Sequence, residues 1–339
     1  LFRSAAGTTH PVERLGIPAI VLADGPAGVR IQGRPCTKFP IGTALSSSWN
    51  TALVEEVGSA IGNEVLEYGV DVLLAPGINI QRNPLCGRNF EYYSEDPLVA
   101  GKIAAAYIRG VQSQGVGTSV KHFAANNQEL NRLFLDARVS PRALREIYLR
   151  NFEIAVREGR PWTVMTSYNY LNGVYASESA ELVNGLLRGE WGFDGAVMTD
   201  WGGGHDSPAI VTSGGDMIQP GSDHRYADIL AAMEDGSLPM EAVDSAVAHV
   251  LRLAERTPRY RGYEYSNSPD LERNAAVARK AAAEGMVLLK NAGATLPLAS
   301  GAKVALLGVA SYDFITGGTG SGDVNGAYVV DLRQGLTDA

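Results

Sequence analysis

The sequence predicts an α/β fold in which βα units build a parallel sheet, arranged as a (β/α)8 TIM-like barrel. Short apolar runs that end in polar or glycine residues alternate with longer segments in which apolar residues recur every three or four positions. Charged and polar side chains stand directly after several of the apolar runs. In barrels of this kind the loops after the strands meet at one face, so these side chains are expected to share a pocket.

Six apolar runs are candidate strands, at residues 19–23, 70–75, 118–121, 163–167, 195–199 and 216–219. Helical periodicity predicts helices at residues 51–68, 97–114, 141–158, 180–188, 226–234 and 240–255. Asn50 and Ser140 stand where N-cap residues are expected, each just before a periodic segment. This alternation assigns residues 1–256 to the barrel.

Residues 257–270 are polar and rich in tyrosine, and they lack periodicity, so they are the best candidate for a linker. After them the pattern predicts a helix at 271–289, a strand at 303–308 and a glycine-rich loop at 317–323. A segment as short as 271–339 buries too little surface to form a stable core alone. We therefore expect it to be the start of a second, incomplete domain.

Composition limits the possible partners. With 45% apolar and 19% charged residues, the 339-residue chain is expected to be a soluble globular protein. Its formal net charge of -8 and the scattered positions of its 29 Lys and Arg residues argue against a nucleic acid partner. The apolar runs are far shorter than the ~20 residues of a membrane-spanning helix, so no membrane partner is expected. These observations favour a neutral small molecule as the ligand of this protein.

Cys36 and Cys86 are the two cysteines, and neither has a spacing that predicts a disulfide framework or a metal site. We expect both to be reduced thiols in a cytoplasmic protein, with no bound metal. The chain opens with Leu-Phe-Arg-Ser and no starting Met. Either a leader was removed or the native N-terminus lies upstream.

Residues 195–201 are the most informative segment, because an apolar run delivers the carboxylate of Asp200, which is followed at once by Trp201. A carboxylate beside an aromatic ring suits attack on an anomeric carbon, since sugar rings stack on aromatic faces. The alternative from these residues alone is structural. Asp200 would then cap the next helix, and Trp201 would pack in the core.

Lys121 and His122 follow another candidate strand and allow three interpretations: binding of phosphate or carboxylate, a Schiff-base lysine of an aldolase, or hydrogen bonds to sugar hydroxyls. A Schiff-base lysine needs apolar surroundings that keep it unprotonated. Here His122 and the polar residues 126–129 follow Lys121. These surroundings favour binding of sugar hydroxyls.

Asp24 and Arg30 flank a glycine-rich turn, and Arg88 lies in a polar loop that also contains Glu91. Charged groups form hydrogen bonds worth roughly 1.5 to 3 kcal/mol, so these side chains could hold the hydroxyls of a sugar. The alternative is that Asp24 pairs with Arg30 and that Arg88 and Glu91 brace their loop. For the acidic residues of that loop the structural interpretation is favoured.

Five strings of the chain together resemble glycoside hydrolase family 3, in its β-glucosidase-like, three-domain bacterial form. They are DGPAGVR (24–30), GRNFEYYSEDP (87–97), VKHF (120–123), MTSYN (165–169) and VMTDW (197–201), and they occur in the order typical of the family. The resemblance runs from about His10 to the last residues. Lys121 is followed by HFAANN rather than by the HFPGH of the family's N-acetylglucosaminidases, so that subgroup is set aside.

The resemblance implies a barrel, an α/β sandwich that begins in this chain, and a fibronectin-like domain. It implies an exo-acting, retaining β-glucosidase that releases terminal β-D-glucose by double displacement, with Asp200 as the nucleophile. Six side chains would hold the hydroxyls of the terminal sugar: Asp24, Arg30, Arg88, Lys121, His122 and Tyr168. Trp201 would stack beside the scissile bond, and Tyr168 would hydrogen-bond to Asp200. Ser321 falls in the loop through which the second domain reaches the pocket.

The resemblance also implies that the general acid/base is a Glu after Ala339, so the rest of the enzyme is expected on another segment or chain. It implies a small β-glucoside or oligosaccharide substrate and no metal or organic cofactor. β-Xylosidase and α-L-arabinofuranosidase activities of the same family are alternatives. A sugar-binding protein that does not hydrolyse is the alternative if the chain is complete as given.

Overall fold

The computed structural model describes residues 7–339, in which a six-stranded sheet is covered by helices. The strands in chain order are β1 (Gly7–Thr8), β2 (Val21–Asp24), β3 (Val72–Leu74), β4 (Gly117–Phe123), β5 (Asp136–Ala137), β6 (Thr163–Thr166), β7 (Tyr170–Leu171), β8 (Val174–Tyr175) and β9 (Ala196–Thr199). In the larger sheet β2, β3, β4, β6 and β9 are parallel neighbours, and β1 pairs antiparallel with β2. The parallel strands therefore all end at the same edge. β5, β7 and β8 form a small separate sheet.

Helices connect the parallel strands, as βα units require. Those between the parallel strands are α1 (Gly42–Ser47), α2 (Thr51–Glu67), α3 (Pro97–Gln112), α4 (Pro141–Ala143) and α5 (Arg150–Ile154). After β9 the described residues continue with α6 (Ser207–Thr212), α7 (Asp223–Glu234), α8 (Met240–Arg256), α9 (Leu271–Gly285) and α10 (Leu332–Asp338). π-Helical segments lie at Leu144–Tyr148, Ala155–Gly159 and Glu181–Glu190.

The sheet curls into a partial barrel. Leu22, Leu74 and Met198 belong to one buried cluster, although they come from β2, β3 and β9, which span the width of the sheet. Side chains from strands this far apart meet only when the sheet curves round to bring its sides together. Leu253 and Ala254 of α8 complete the cluster and help to fill the space inside the curve.

The outer face of the sheet is covered by α2, α3 and the helical stretch 141–159. Val120 and Val164 of the strands share the main core with Val57, Tyr107 and Phe152 of these helices. Alternate strand residues thus pack inward and outward, as the period of two in a strand dictates. The α/β fold class predicted from the sequence is confirmed, with five parallel strands in the described sheet rather than the eight of a closed (β/α)8 barrel.

Five of the six predicted strands are confirmed, but the strand predicted at 216–219 is wrong, because only an isolated bridge joins Met217 to Met198. The amides of Asp216 and Met217 both donate to the carbonyl of Val197, at 2.8 and 3.1 Å. Two successive donors on one acceptor interrupt the regular ladder of a strand. The amide of Gln219 then donates to the Thr199 side chain at 2.9 Å instead of to a backbone carbonyl.

The predicted helices are confirmed, although the stretches 141–158 and 180–188 contain π-helical segments that the periodicity did not indicate. Asn50 caps α2 by accepting a hydrogen bond from the Leu53 amide at 3.1 Å, and Ser140 accepts one from the Ala143 amide at 3.4 Å. Three further helices, α1, α6 and α10, were not predicted. Each has only six or seven residues, too few to display helical periodicity.

Residues 257–270 are fastened to α2. The Tyr263 hydroxyl donates to the carboxylate of Glu67 at 2.7 Å, and the Ser266 amide donates to the same carboxylate at 2.9 Å. α9 packs against α1 and α2, and its Ala281 joins the main core. The strand predicted at 303–308 is wrong: this stretch pairs with no strand in the described chain, and Leu307 is exposed. The division into domains at 256 and 271 stays a prediction.

Cys36 and Cys86 are buried free thiols, and burial, aided by the charge of Glu64, raises the pKa of Cys36 to about 12. No helix within residues 7–339 combines the length and apolar character needed to cross a membrane. In the same residues no group of three or more His, Cys, Asp or Glu side chains is arranged to hold a metal ion.

Candidate active site

A cavity of about 670 Å³ opens at the edge of the sheet where the parallel strands end. Asp24 is the last residue of β2, Lys121 and His122 lie in β4, and Asp200 directly follows β9. The cavity is lined by all nine side chains proposed from the sequence: Asp24, Arg30, Arg88, Lys121, His122, Tyr168, Asp200, Trp201 and Ser321. The parallel topology is what brings these distant residues together.

Asp200 is buried, and its two carboxylate oxygens have different surroundings. Oδ1 accepts a hydrogen bond from the backbone amide of Trp201 at 2.7 Å, which orients the carboxylate. Oδ2 has no hydrogen-bond partner among the described residues and lies 3.5 Å from Nε2 of His122. A buried polar oxygen without a partner is costly, so this oxygen is suited to meet a bound ligand.

His122 is neutral. Burial, followed by the positive charge of Arg88 and of other cations of the cavity, holds the pKa of its imidazole well below the usual range. The contact between His122 and Asp200 is therefore not an ion pair at neutral pH. A neutral imidazole can still donate one hydrogen bond and accept one, which suits a hydroxyl group.

Arg88 is held from two sides. Its Nε donates to Oε1 of Glu91, and its Nη2 lies 3.5 Å from the hydroxyl oxygen of Ser321. The carboxylate of Glu91 is almost fully buried, and its Oε2 has no hydrogen-bond partner within residues 7–339. The pairing of Arg88 with Glu91, by which the two were expected to brace their loop, is thus confirmed. Glu91 also lines the cavity, however, so it belongs to the site as well as to the loop.

For Asp24 and Arg30 the sequence left two alternatives, a pair with each other or a place in the binding site. Both hold, since the two side chains face each other and both line the cavity. Arg30 Nη1 lies 3.7 Å from Asp24 Oδ2, and the Arg30 side chain is 45% exposed against 21% for Asp24. An ion pair this exposed contributes about 1 kcal/mol or less to stability. Stability alone therefore does not account for placing these two charges here.

Tyr168 lies beneath a guanidinium group. The Arg132 guanidinium carbon is 4.4 Å from the centre of the Tyr168 ring, a cation–π arrangement. Burial and then the nearby charge of Asp200 raise the pKa of the Tyr168 phenol. The hydrogen bond expected from Tyr168 to Asp200 stays a prediction: a side-chain interaction with Asp200 contributes to the raised pKa of the Tyr168 phenol, whereas Oδ2 of Asp200 has no hydrogen-bond partner in the described chain and Oδ1 is bonded by the Trp201 amide.

The glycine-rich loop 317–323 is docked at the cavity, and Thr319, Gly320 and Ser321 line it. Gly318 packs so closely on the ring of Phe90 that a Cβ atom would collide with it. Beyond the loop, the carbonyl of Asn325 accepts a hydrogen bond from the Cys36 amide at 2.8 Å. These contacts hold the loop against the barrel.

Several cavity residues were missed from the sequence, namely Phe90, Glu129, Arg132 and Met165. Glu129 accepts hydrogen bonds from Arg132 at 2.6 Å and from Asn126 at 3.1 Å. Phe90 and Met165 stand within two of the family strings, and Glu129 and Arg132 follow His122 in a strongly polar stretch, but neither signal says which side chains turn inward.

The cavity combines four carboxylates with four cations around the neutral His122. The carboxylates are Asp24, Glu91, Glu129 and Asp200, and the cations are Arg30, Arg88, Lys121 and Arg132. A balanced and densely polar lining suits a neutral ligand rich in hydroxyls, because each hydroxyl both donates and accepts hydrogen bonds. The half-buried Trp201 adds an aromatic face on which a sugar ring can stack.

A family model described as the glycosyl hydrolase family 3 N terminal domain matches residues 2–253. The chain is 42% identical to thermostable beta-glucosidase B of Acetivibrio thermocellus over 344 residues, which is 98% of this chain and 45% of the relative. It is 45% identical to an exo-alpha-(1->6)-L-arabinopyranosidase of Bifidobacterium longum over 304 residues, covering 86% of this chain and 40% of the relative.

Solved structures agree with these relatives. Beta-glucosidase 3B from Thermotoga neapolitana in complex with glucose matches with a TM-score of 0.97 at 50% identity, over 99% of this chain and 49% of that chain. A beta-glucosidase from Kluyveromyces marxianus in complex with glucose matches with a TM-score of 0.93 at 35% identity, over 99% of this chain and 42% of that chain. The chain spans less than half the length of these proteins. By the family model and by its identity to these relatives, it belongs to glycosyl hydrolase family 3.

Proposed function

We propose that this chain carries the sugar-binding site and the nucleophile of a retaining, exo-acting β-glucosidase. The observation that carries the proposal is the carboxylate of Asp200, which has one oxygen fixed by the Trp201 amide and the other buried without a partner at the cavity. An oriented, unpaired carboxylate oxygen is what attack on an anomeric carbon requires. The beta-glucosidases among the relatives and the glucose-bound structures support the choice of sugar.

In this proposal the other cavity residues bind the terminal glucose. Their side chains supply the donors and acceptors that its hydroxyls need: Asp24, Arg30, Arg88, Lys121, His122 and Tyr168. Trp201 stacks beside the scissile bond, and Ser321 closes the pocket from the glycine-rich loop. Because Lys121, His122 and Tyr168 are buried, the hydrogen bonds that these three make to the sugar are formed away from water, where they are stronger.

The proposed reaction is a double displacement. Asp200 attacks the anomeric carbon and forms a covalent glycosyl ester, while an acid protonates the departing oxygen. The deprotonated acid then acts as a base and activates a water molecule, which releases glucose with retained configuration. Besides the substrate and water, the two carboxyl groups are the only reacting groups in this mechanism.

The nucleophile is tested by trapping. A 2-deoxy-2-fluoroglucoside with a dinitrophenyl leaving group should react with the intact enzyme to form a stable ester, because fluorine slows the release of the sugar more than the good leaving group slows its transfer. Mass spectrometry of the digested protein should find the label on the peptide that contains Asp200, and Asp200→Asn should remain folded, unlabelled and nearly inactive. A label on another carboxylate, or normal turnover by the Asn variant, would overturn the assignment.

A second candidate is a pentosidase, and the relative named exo-alpha-(1->6)-L-arabinopyranosidase favours it specifically. A pentose lacks the hydroxymethyl group of glucose, so the hydrogen bonds to that group decide between the two sugars. Rates on nitrophenyl β-glucoside, β-xyloside, α-L-arabinopyranoside and α-L-arabinofuranoside separate the candidates. Calorimetric binding of glucose without hydrolysis of any of these would instead support a sugar-binding protein.

A further inference from the structure

Behind His122 lies a chain of hydrogen bonds between buried side chains. The hydroxyl oxygen of Tyr92 is 3.3 Å from Nδ1 of His122, and Nδ2 of Asn126 donates to that hydroxyl at 3.1 Å. Tyr92 and Asn126 are completely buried, and neither lines the cavity. Neither side chain lines the cavity, so the two act on the site through the residues they bond to, His122 and Glu129.

Glu129 sets the direction of this chain. The same Nδ2 of Asn126 donates to Oε1 of Glu129 at 3.1 Å, and a carboxylate can only accept that bond. The amide group of Asn126 must therefore turn its nitrogen, not its oxygen, toward both Glu129 and Tyr92. Since the Tyr92 oxygen accepts from Asn126, the Tyr92 hydrogen is left to be donated to Nδ1 of His122.

Asn79 is the competing partner of Nδ1. Its Oδ1 lies 3.3 Å from Nδ1 and also accepts a hydrogen bond from the His122 backbone amide at 3.0 Å, which leaves one of its two lone pairs for Nδ1. If Nδ1 carried the proton, the hydroxyl of Tyr92 would lose its acceptor. The lone pair of Nε2 would also then face Oδ2 of Asp200, 3.5 Å away. If Nε2 carries the proton instead, Tyr92 keeps its acceptor, and an N–H group rather than a lone pair faces Oδ2 of Asp200.

We infer that Tyr92 is a positioning residue that fixes the tautomer of His122, so that the Nε2 proton points toward Asp200 and the sugar site. Because the imidazole is neutral, only one of its nitrogens carries a proton, and the choice of nitrogen decides whether His122 presents a donor or an acceptor to the cavity. The Tyr92 hydroxyl makes this choice from outside the cavity.

The test replaces Tyr92 with Phe in the intact enzyme, which removes the hydroxyl and keeps the ring. Nitrogen-15 spectra of histidine-labelled protein distinguish protonated from unprotonated ring nitrogens, and the His122 signal is assigned by its loss in His122→Gln. We expect the wild-type enzyme to carry the proton on Nε2. In Tyr92→Phe the Nδ1-protonated form should appear, and kcat/KM should fall by about 10-fold, the size of one lost hydrogen bond.

Tyr93→Phe is the matched control, since Tyr93 is a buried neighbour without a hydrogen bond to His122 in the described chain. It should leave the spectrum and kcat/KM unchanged.

Asn126→Asp is a second test, because its carboxylate would accept the Tyr92 hydrogen and so favour Nδ1 protonation in the same way. A wild-type proton on Nδ1, or an unchanged tautomer in Tyr92→Phe, would overturn the inference. The kinetic readout rests on the proposed glucosidase function, whose own failure would show as no hydrolysis by the wild-type enzyme.

Discussion

Arg88 and Glu91 form an ion pair in the wall of the cavity, with Glu91 buried and Arg88 largely so, their side chains being 1% and 12% exposed. The charge of each side chain is compensated by the other, because removing one partner of a buried ion pair leaves the second charge uncompensated. Since Arg88 also reaches Ser321, the pair links the loop that follows β3 to the glycine-rich loop. Stability and ligand binding therefore depend on the same contact.

Glu91→Gln should remove the charge of this carboxylate while keeping its shape. We expect the free energy of unfolding to fall by on the order of 3 kcal/mol, because the Arg88 guanidinium is left without its anion. We also expect kcat/KM for a β-glucoside to fall by about 10-fold or more, since Arg88 is no longer held in place. Urea unfolding and steady-state kinetics measure the two effects.

Glu95→Gln is the matched control, because Glu95 lies in the same loop and is exposed. It should change the free energy of unfolding by less than about 0.5 kcal/mol and leave the kinetics intact. If Glu91→Gln behaved like this control, the bond between Arg88 and Glu91 would be irrelevant to both properties.

Sequence reasoning proposed nine side chains that follow strands, stand within the family strings or lie in the glycine-rich loop, and all nine line the cavity. It missed Arg132 and Glu129, because a polar loop residue has the same local pattern whether it faces solvent or a cavity. It also missed Tyr92 and Asn126. Their importance rests on hydrogen bonds to residues distant in the chain, and no local pattern encodes such partners.

Among the elements, the apolar runs predicted the central parallel strands because buried strands are apolar on both faces. The segment 216–219 is also apolar in part, but Asp216 accepts a hydrogen bond from Arg188 at 2.6 Å and lies 2.9 Å from His249. The same carboxylate accepts a hydrogen bond from the Val197 amide of β9 at 2.6 Å, so a side chain takes the place of a backbone acceptor where a strand would pair. The π-helical segments were not predictable, since one additional residue per turn barely alters an apolar stripe over so short a stretch.

Gly318→Ala tests the docking of the glycine-rich loop. A Cβ at Gly318 would collide with the ring of Phe90, so either the loop or the ring must move, and both line the cavity. We expect kcat/KM to fall by about 10-fold, through loss of the contact between Ser321 and Arg88. The free energy of unfolding should change by less than about 1 kcal/mol, because the loop contributes little to the core.

Gly317→Ala serves as the control, because the nearest atom to a Cβ at Gly317 is a carbonyl oxygen 3.7 Å away. This variant should match the wild type in kcat/KM. Equal losses in the two variants would mean that glycine flexibility, rather than contact with Phe90, governs the loop.

On the scale of the whole molecule, Glu64 joins three parts of the chain. Its carboxylate in α2 accepts a hydrogen bond from the Thr37 amide at 3.0 Å and one from Asn274 of α9 at 2.9 Å. Burial raises the pKa of Glu64 above its ordinary value of 4.5, although these hydrogen bonds oppose the shift. The contact that ties α9 to the barrel is therefore sensitive to pH.

Because the folded state binds the Glu64 proton more tightly than the unfolded state, its contribution to stability is complete below pH 4.5 and is lost as the pH rises through the raised folded pKa. Glu64→Gln should lack this dependence. The difference in free energy of unfolding, wild type minus variant, should fall with rising pH by at most about 1.4 kcal/mol per pH unit in this window. Urea unfolding of both proteins from pH 4.5 to 8 measures it. A constant difference would show that Glu64 has the same pKa in both states.

The source of the general acid is also a property of the whole molecule. The cavity contains three carboxylates besides Asp200, and each of them faces an arginine: Asp24 with Arg30, Glu91 with Arg88, and Glu129 with Arg132. An acid catalyst must be free to donate a proton to the departing oxygen, whereas each of these three carboxylates is already engaged in an ion pair within the cavity wall. We therefore expect the acid to be a Glu outside residues 1–339.

This expectation predicts a specific kinetic pattern in the intact enzyme. Loss of the acid should slow the hydrolysis of cellobiose severely but not that of dinitrophenyl glucoside, whose leaving group departs without a proton. Azide should then accelerate turnover, because it replaces the water molecule that the missing base would activate. Asp24→Asn, Glu91→Gln and Glu129→Gln should each slow both substrates by similar factors and show no azide rescue, because they weaken binding of the sugar common to both. The two rates with and without azide measure this. A variant that kept its rate on dinitrophenyl glucoside, lost about 100-fold or more on cellobiose and yielded glucosyl azide would place the acid inside the barrel and end the need for a second segment.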